Sequence, residues 1–179
     1  MRIISGKLGG RRFSPPAHMP HTRPTTDVAK EGLFNILQNR IDFNGLKCLD
    51  LFAGTGSISY ELASRGADSL TLIEKDSKQV QFIQQTVKML GLDNFSILKQ
   101  DVFQFLNHCN EQFDFIFAGP PYALTTIDQL PILIFEKKLL ASDGLFVLEH
   151  TPRNNYSTFK GFEKERNYGT TIFSFFVTS

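Results

Sequence analysis

From residue 46 onward, short apolar runs alternate with amphipathic stretches, and few chain architectures satisfy that rhythm. "LKCLDLF" reads as a strand, followed by a helix from about Ser57 to Arg65; "SLTLIEKD" is the next strand, followed by a helix from Lys78 to Leu90 that Gly91 caps. "NFSILKQD" and "FDFIFA" are two more strands with a short helix, "VFQFLNHC", between them. A helix is expected through "LPILIFEKKLL", and after Asp143-Gly144 a strand, "LFVLEHT". Strands and helices in this order predict a mostly parallel sheet with helices on both faces. The tail breaks the pattern: "GFEKERNYG" and "TTIFSFFVTS" read as two β-runs turned at Tyr168-Gly169, an antiparallel hairpin on the sheet edge. Phe113, Phe115 and Phe117 alternate along the fourth strand and are assigned to the core.

The segment before this core differs in charge. Residues 1–23 carry Arg2, Lys7, Arg11, Arg12 and Arg23 with no acid, although the whole chain of 179 residues has a net charge of only +1. Two short extended runs flank Gly9-Gly10 in "RIISGKLGGRRFSPP", which predicts a β-hairpin that projects from the body. Such an arm suits phosphate contacts to nucleic acid; a solvated hairpin with an incidental charge excess is the equal alternative. "TRPTTDVAKEGLFNIL" then predicts a helix with Thr25 or Thr26 as N-cap, Asp27 in the first turn, and Val28, Ala29, Leu33, Ile36 and Leu37 on its buried face. Gly32 within it implies a close neighbour at that point. Residues 1–40 are thus an extension of a single domain whose core spans 41–179.

The length suits one domain with a substantial core, and no run approaches the ~20 apolar residues of a membrane span, so a cytoplasmic, monomeric protein is expected. Cys48 and Cys109 lie too far apart for a disulfide framework or a C-x-x-C metal site, and Cys48 reads as a small buried hydrophobe. His18, His21, His108 and His150 have no ligand spacing, so no metal is expected.

"LDLFAGTGSISYE" places Asp50 at a strand end, with Phe52, Ala53, Gly54 and Gly56 in the turn before a helix that starts at Ser57. In an open α/β sheet, ligands bind beyond the carboxyl ends of the strands, where glycines admit them to the backbone. A dinucleotide fingerprint would want Gly or Ala where this chain has Ser59. Glu74, followed by Lys75 at the end of the second strand, is placed to accept from ribose hydroxyls, which NAD and S-adenosylmethionine share. Asp50 favours the second, because a carboxylate there repels a pyrophosphate and suits a cationic amino acid end. Asp101, ending the third strand, is a candidate acceptor for an adenine amine beside the Val102 N–H, and equally a helix cap. Solvation as a loop pair is the plain alternative for Glu74 and Asp76.

"FAGPPYA" after the fourth strand resembles the Asp/Asn-Pro-Pro-Tyr segment of S-adenosylmethionine-dependent amino methyltransferases. Together with "RIISGKLGGRRF", "TRPTTDVAKEGLFNIL" and "LDLFAGTGSISYELASRGA", nearly the whole chain resembles the bacterial 16S ribosomal RNA guanine-N2 methyltransferases. The resemblance implies a Rossmann-like class I methyltransferase fold with a seven-stranded sheet, S-adenosylmethionine as cofactor, and 16S RNA in a small subunit or its assembly intermediate as partner. It also implies a catalytic segment of Gly119, Pro120, Pro121 and Tyr122, in which the Pro120 carbonyl accepts from the target amine, Pro121 stiffens the loop and Tyr122 stacks on a flipped base. Arg23 resembles a position near cofactor and RNA, with a plain role ahead of the helix as the alternative.

Gly119 departs from that pattern, for it stands where the family has a carboxylate or amide and offers no acceptor. Three readings follow: an enzyme that uses a water or neighbouring oxygen, a slowed variant, or a protein that binds without chemistry. The expected function is therefore methyl transfer to a guanine N2 amine, impaired or rescued at residue 119. A non-catalytic RNA-binding assembly factor and an adenine-N6 DNA methyltransferase are the alternatives, and a nicotinamide oxidoreductase is a weak third.

Overall fold

The computed structural model describes residues 1–17, 19 and 24–178, so the expectations for His18, His21 and Arg23 lie outside the described residues. Helix α1 (Asp27–Leu37) precedes β1 (Lys47–Leu51), α2 (Ser57–Ser64), β2 (Ser69–Glu74), α3 (Ser77–Leu90), β3 (Phe95–Lys99), α4 (Val102–His108) and β4 (Phe113–Ala118). Helix α5 (Gln129–Glu136), β5 (Leu140–His150), β6 (Phe162–Tyr168) and β7 (Thr171–Val177) complete it. One seven-stranded sheet runs β3-β2-β1-β4-β5-β7-β6, parallel through β5, with β7 antiparallel to both β5 and β6. The chain order reverses between β1 and β4, the switch point where such sheets bind ligands.

Side chains alternate between two cores, as a pleated strand buried on both faces demands. Cys48, Leu72, Phe115, Phe117, Leu145 and Phe173 face one side, under α1, α2 and α3. Leu49, Ile73, Ile116, Phe146 and Phe176 face the other, under α4 and α5. Phe113 joins the second core rather than that of Phe115 and Phe117, because the β4–β5 register shifts between Phe113 and Phe115.

Three expectations need correction. The N-terminal hairpin does not project: Ile3 and Phe13 are buried, and the Ile4 and Ser5 amides donate to Glu61 at 2.8 and 3.0 Å. Its apolar residues need cover, and α2 supplies both cover and acceptors. Val28 is 73% exposed, while Lys30 lies fully buried on that face, its ammonium 3.4 Å from Glu61 and donating to the Arg2 carbonyl at 2.8 Å. Burial, opposed by Glu61, lowers the Lys30 pKa. Finally, the helix expected through Leu140 stops at Glu136, and β5 already begins at Leu140, with Asp143 at φ +61° taking up the irregularity. Thr26, not Thr25, caps α1, its hydroxyl oxygen accepting from the Ala29 amide at 3.2 Å.

Candidate functional site

Register brings the strand tips together: Leu51 pairs with both Ile73 and Ala118, and Ala118 with Leu148, so the segments that follow β1, β2, β4 and β5 share one rim. The Gln100 amide donates to the Glu74 carbonyl at 3.1 Å and brings the end of β3 to the same rim.

The turn after β1 is strained in a way glycine relieves. Gly54 and Gly56 have φ of +60° and +86°, and Phe52 takes +61° despite its side chain. Glu74 holds the turn: its carboxylate accepts from the Gly54 amide at 2.9 Å and from the Asp76 amide at 2.9 Å. It is buried, and Asp76 caps α3 by accepting from the Gln79 amide at 2.9 Å, so the solvated loop pair is excluded. Each Glu74 oxygen keeps a second lone pair for an incoming hydroxyl. Lys75 beside it is exposed, and Ala53 is buried with its amide donating to the Ile73 carbonyl at 3.0 Å.

Asp50 is buried, and the Ser59 hydroxyl donates to it at 2.6 Å. Burial pushes its pKa up to about 7, against the pull of the Ser59 hydrogen bond and with a push from Glu74. Ser59, which spoils the dinucleotide fingerprint, thus serves the acid at the end of β1. Asp101 caps α4, its Oδ1 accepting from the Phe103 and Gln104 amides at 2.9 and 3.1 Å. The Val102 N–H, at the first helical position, has no carbonyl to meet within the helix.

Beyond β4, the Gly119 amide donates to the Leu51 carbonyl at 3.3 Å, Pro120 is buried and Pro121 exposed. The Leu124 amide closes a turn on the Pro121 carbonyl at 3.0 Å. Tyr122 is half-buried, and its hydroxyl reaches Glu149 at 3.3 Å and Thr171 at 3.2 Å. Glu149 ends the apolar run "LFVLE" of β5 and was not singled out from the sequence; an acid closing such a run is the signal that marks it. Arg2, Lys7, Arg11 and Arg12 are carried on the docked hairpin, apart from its buried Ile3 and Phe13; Arg2, Lys7, Arg11 and Arg12 are all exposed.

The family model described as "Conserved hypothetical protein 95" matches residues 1–177. Relatives named ribosomal RNA small subunit methyltransferase D match as well. That of Buchnera aphidicola (subsp. Baizongia pistaciae) is 32% identical over 87% of this chain and 83% of its own. That of Escherichia coli K12 is 32% identical over 88% and 78%. The chain belongs to the methyltransferase D family. Among solved structures, a hypothetical protein of Thermus thermophilus superposes with a TM-score of 0.85 at 29% identity, over 99% of both chains. The fold of this chain is also similar to that of the T. thermophilus 16S rRNA N2 G1207 methyltransferase RsmC, solved with AdoMet and guanosine. It matches at TM-score 0.69 and 24% identity over 87% of this chain and 44% of that one.

Proposed function

We propose that this chain methylates the exocyclic N2 amine of a guanine in 16S ribosomal RNA. Methyl transfer from S-adenosylmethionine to small-subunit RNA is the coarser part of this reading, and it follows from the family. The guanine amine is supported by the Pro-Pro-Tyr segment and by the shared fold of an enzyme that acts on N2 of a guanine.

One observation carries the cofactor assignment: the rim is rich in hydrogen-bond acceptors. Asp50, Glu74 and Asp101 converge there, and Gln79 Oε1, buried 3.4 Å from where a Cβ of residue 54 would stand, has no partner among the described residues. S-adenosylmethionine offers donors in its ribose hydroxyls, adenine amine and ammonium, so the residues present fit it; a pyrophosphate would meet like charge. When bound, it supplies an electrophilic methyl group on a sulfonium. Glu74 takes the ribose hydroxyls, Asp101 the adenine amine and the Val102 N–H a ring nitrogen, while Asp50 faces the cationic end. Phe52, Ala53, Gly54, Gly56 and Lys75 form the walls.

The chain's own catalytic work is orientation. A guanine amine is a poor nucleophile because its lone pair is shared with the ring, so acceptors must fix its N–H bonds and aim the lone pair. The Pro120 carbonyl is one such acceptor, Gly119 and Pro121 set the loop's path, and Tyr122 offers a ring face to a base extruded from RNA. Arg2, Lys7, Arg11, Arg12 and Arg23 grip phosphates, so residues 1–40 act as an RNA-holding extension of the catalytic core 41–179. A partly assembled small subunit is the substrate form we expect, met by a monomer in the cytoplasm.

The test is transfer from tritiated S-adenosylmethionine to unmodified small-subunit RNA, followed by nucleoside digestion. Label in N2-methylguanosine is expected; label in another nucleoside, or cofactor binding with no transfer, contradicts the proposal.

A further inference from the structure

Glu149 lies one residue beyond the Ala118–Leu148 pair, so parallel register sets it beside Gly119 at the rim. It is 5% exposed, an acid within the part of β5, residues 144–150, that is buried throughout. A Cβ built on Gly119 would stand 3.4 Å from Glu149 Oε2, with the Phe117 ring at 3.1 Å crowding the other approach. Gly119 is not in a left-handed conformation, so the backbone does not demand glycine there. What a side chain at 119 would meet is a carboxylate already in place.

Hydroxyls hold that carboxylate still. Thr25, just ahead of α1, donates to Oε2 at 2.6 Å, and Tyr122 donates to Oε1 at 3.3 Å. A carboxylate oxygen accepts more than one hydrogen bond, and these two contacts are among those that orient Glu149. The approach to α1 and the loop after β4 thus converge on one acid of β5 at the mouth of the Pro120 segment, a costly arrangement in the core.

We propose that Glu149 is a catalytic residue that accepts one N–H of the target amine, in the region an acidic side chain at 119 would otherwise fill. This rests on the reading that a guanine amine is presented at Pro120. With the Pro120 carbonyl on one N–H and Glu149 on the other, the nitrogen lone pair is left to react. The amine nitrogen bonds to the methyl carbon as the carbon–sulfur bond breaks. That bonding pair stays on sulfur as a neutral thioether, and the surplus proton passes from nitrogen to Glu149 and on to water. Glycine at 119 then follows from charge: a second carboxylate would sit against the first.

Methyl transfer to unmodified small-subunit RNA, with S-adenosylmethionine Kd by calorimetry, distinguishes the roles in wild type, Glu149→Ala, Gly119→Asp and the double variant. Glu149→Ala is expected to lower kcat by about 10²- to 10³-fold with Kd unchanged, as loss of one transition-state hydrogen bond does. Gly119→Asp alone should be no faster than wild type. The double variant should recover about tenfold or more over Glu149→Ala, since the acceptor returns from the neighbouring strand. A Glu149 that merely braced Thr25 and Tyr122 would not be rescued from position 119. If Glu149→Ala fails to fold, Glu149→Met fills the same space without an oxygen acceptor and is read the same way, alone and with Gly119→Asp. Full activity in Glu149→Ala or Glu149→Met, or a double variant no faster than its single parent, overturns the inference. So does an inert wild type with an active Gly119→Asp, which leaves the guanine-amine reading intact. Absence of transfer to guanine N2 by every variant overturns that reading as well.

Discussion

Among individual side chains, Asp50 carries the clearest pH signature. Its carboxyl titrates at about 7 in the folded chain because it is buried, whereas an unfolded chain releases that proton at ~3.9. Raising the pH between those values therefore favours the unfolded state, and Asp50→Asn should flatten this part of the apo-protein's stability profile. A cation at the rim favours the ionised form, so cofactor binding below pH 7 should release a proton. Affinity should climb by up to about tenfold per pH unit toward 7 and level off above. Calorimetry in buffers of different ionisation enthalpy reads this directly, and Asp50→Asn should abolish the slope. Asp50, Glu74 and the glycine turn were legible from sequence because strand ends and turn chemistry announce themselves. Ser59 as the donor to Asp50 was not, since the contact depends on how α2 leaves the turn. Glu149 stayed hidden for a similar reason: only the β4–β5 register reveals what it faces.

Among the helices and strands, α1 shows how far periodicity reaches. The stripe through Ala29, Leu33 and Leu37 was readable, and so was the need for a neighbour at Gly32, where a Cβ would come within 2.2 Å of the Tyr168 ring. Gly32→Ala should destabilise the fold by about 1–3 kcal/mol through overpacking, against the ~1 kcal/mol that alanine ordinarily gains in a helix, as chemical denaturation would measure. Val28 was misplaced because the buried face turns toward Lys30, and a lysine in a core is invisible to a hydrophobic pattern. Its partner Glu61 also receives the Arg65 side chain at 2.9 Å and the hairpin amides, so one buried carboxylate joins α1, α2 and the N-terminal arm. Glu61→Ala should cost about 3–5 kcal/mol in thermal or denaturant unfolding and expose residues 1–17 to early proteolysis. The boundary between α5 and β5 was missed because a short apolar run serves helix and strand equally.

Over the full chain, alternation predicted the sheet, and in the proposed function the acidic rim serves the cofactor and the basic hairpin the RNA. The exposed Arg2, Lys7, Arg11 and Arg12 lie on an arm locked to the body, so they present fixed rather than trailing charge. Replacing any one by alanine should weaken RNA binding whatever its sequence and reduce the slope of log K against log salt by about 0.7–0.9. Every role assigned to the rim depends on where the methyl donor lies. A crystal structure with S-adenosylmethionine should show its ribose on Glu74, its adenine between Asp101 and Val102, and its methyl group facing Pro120 and Glu149; density at any other place on the chain would contradict it.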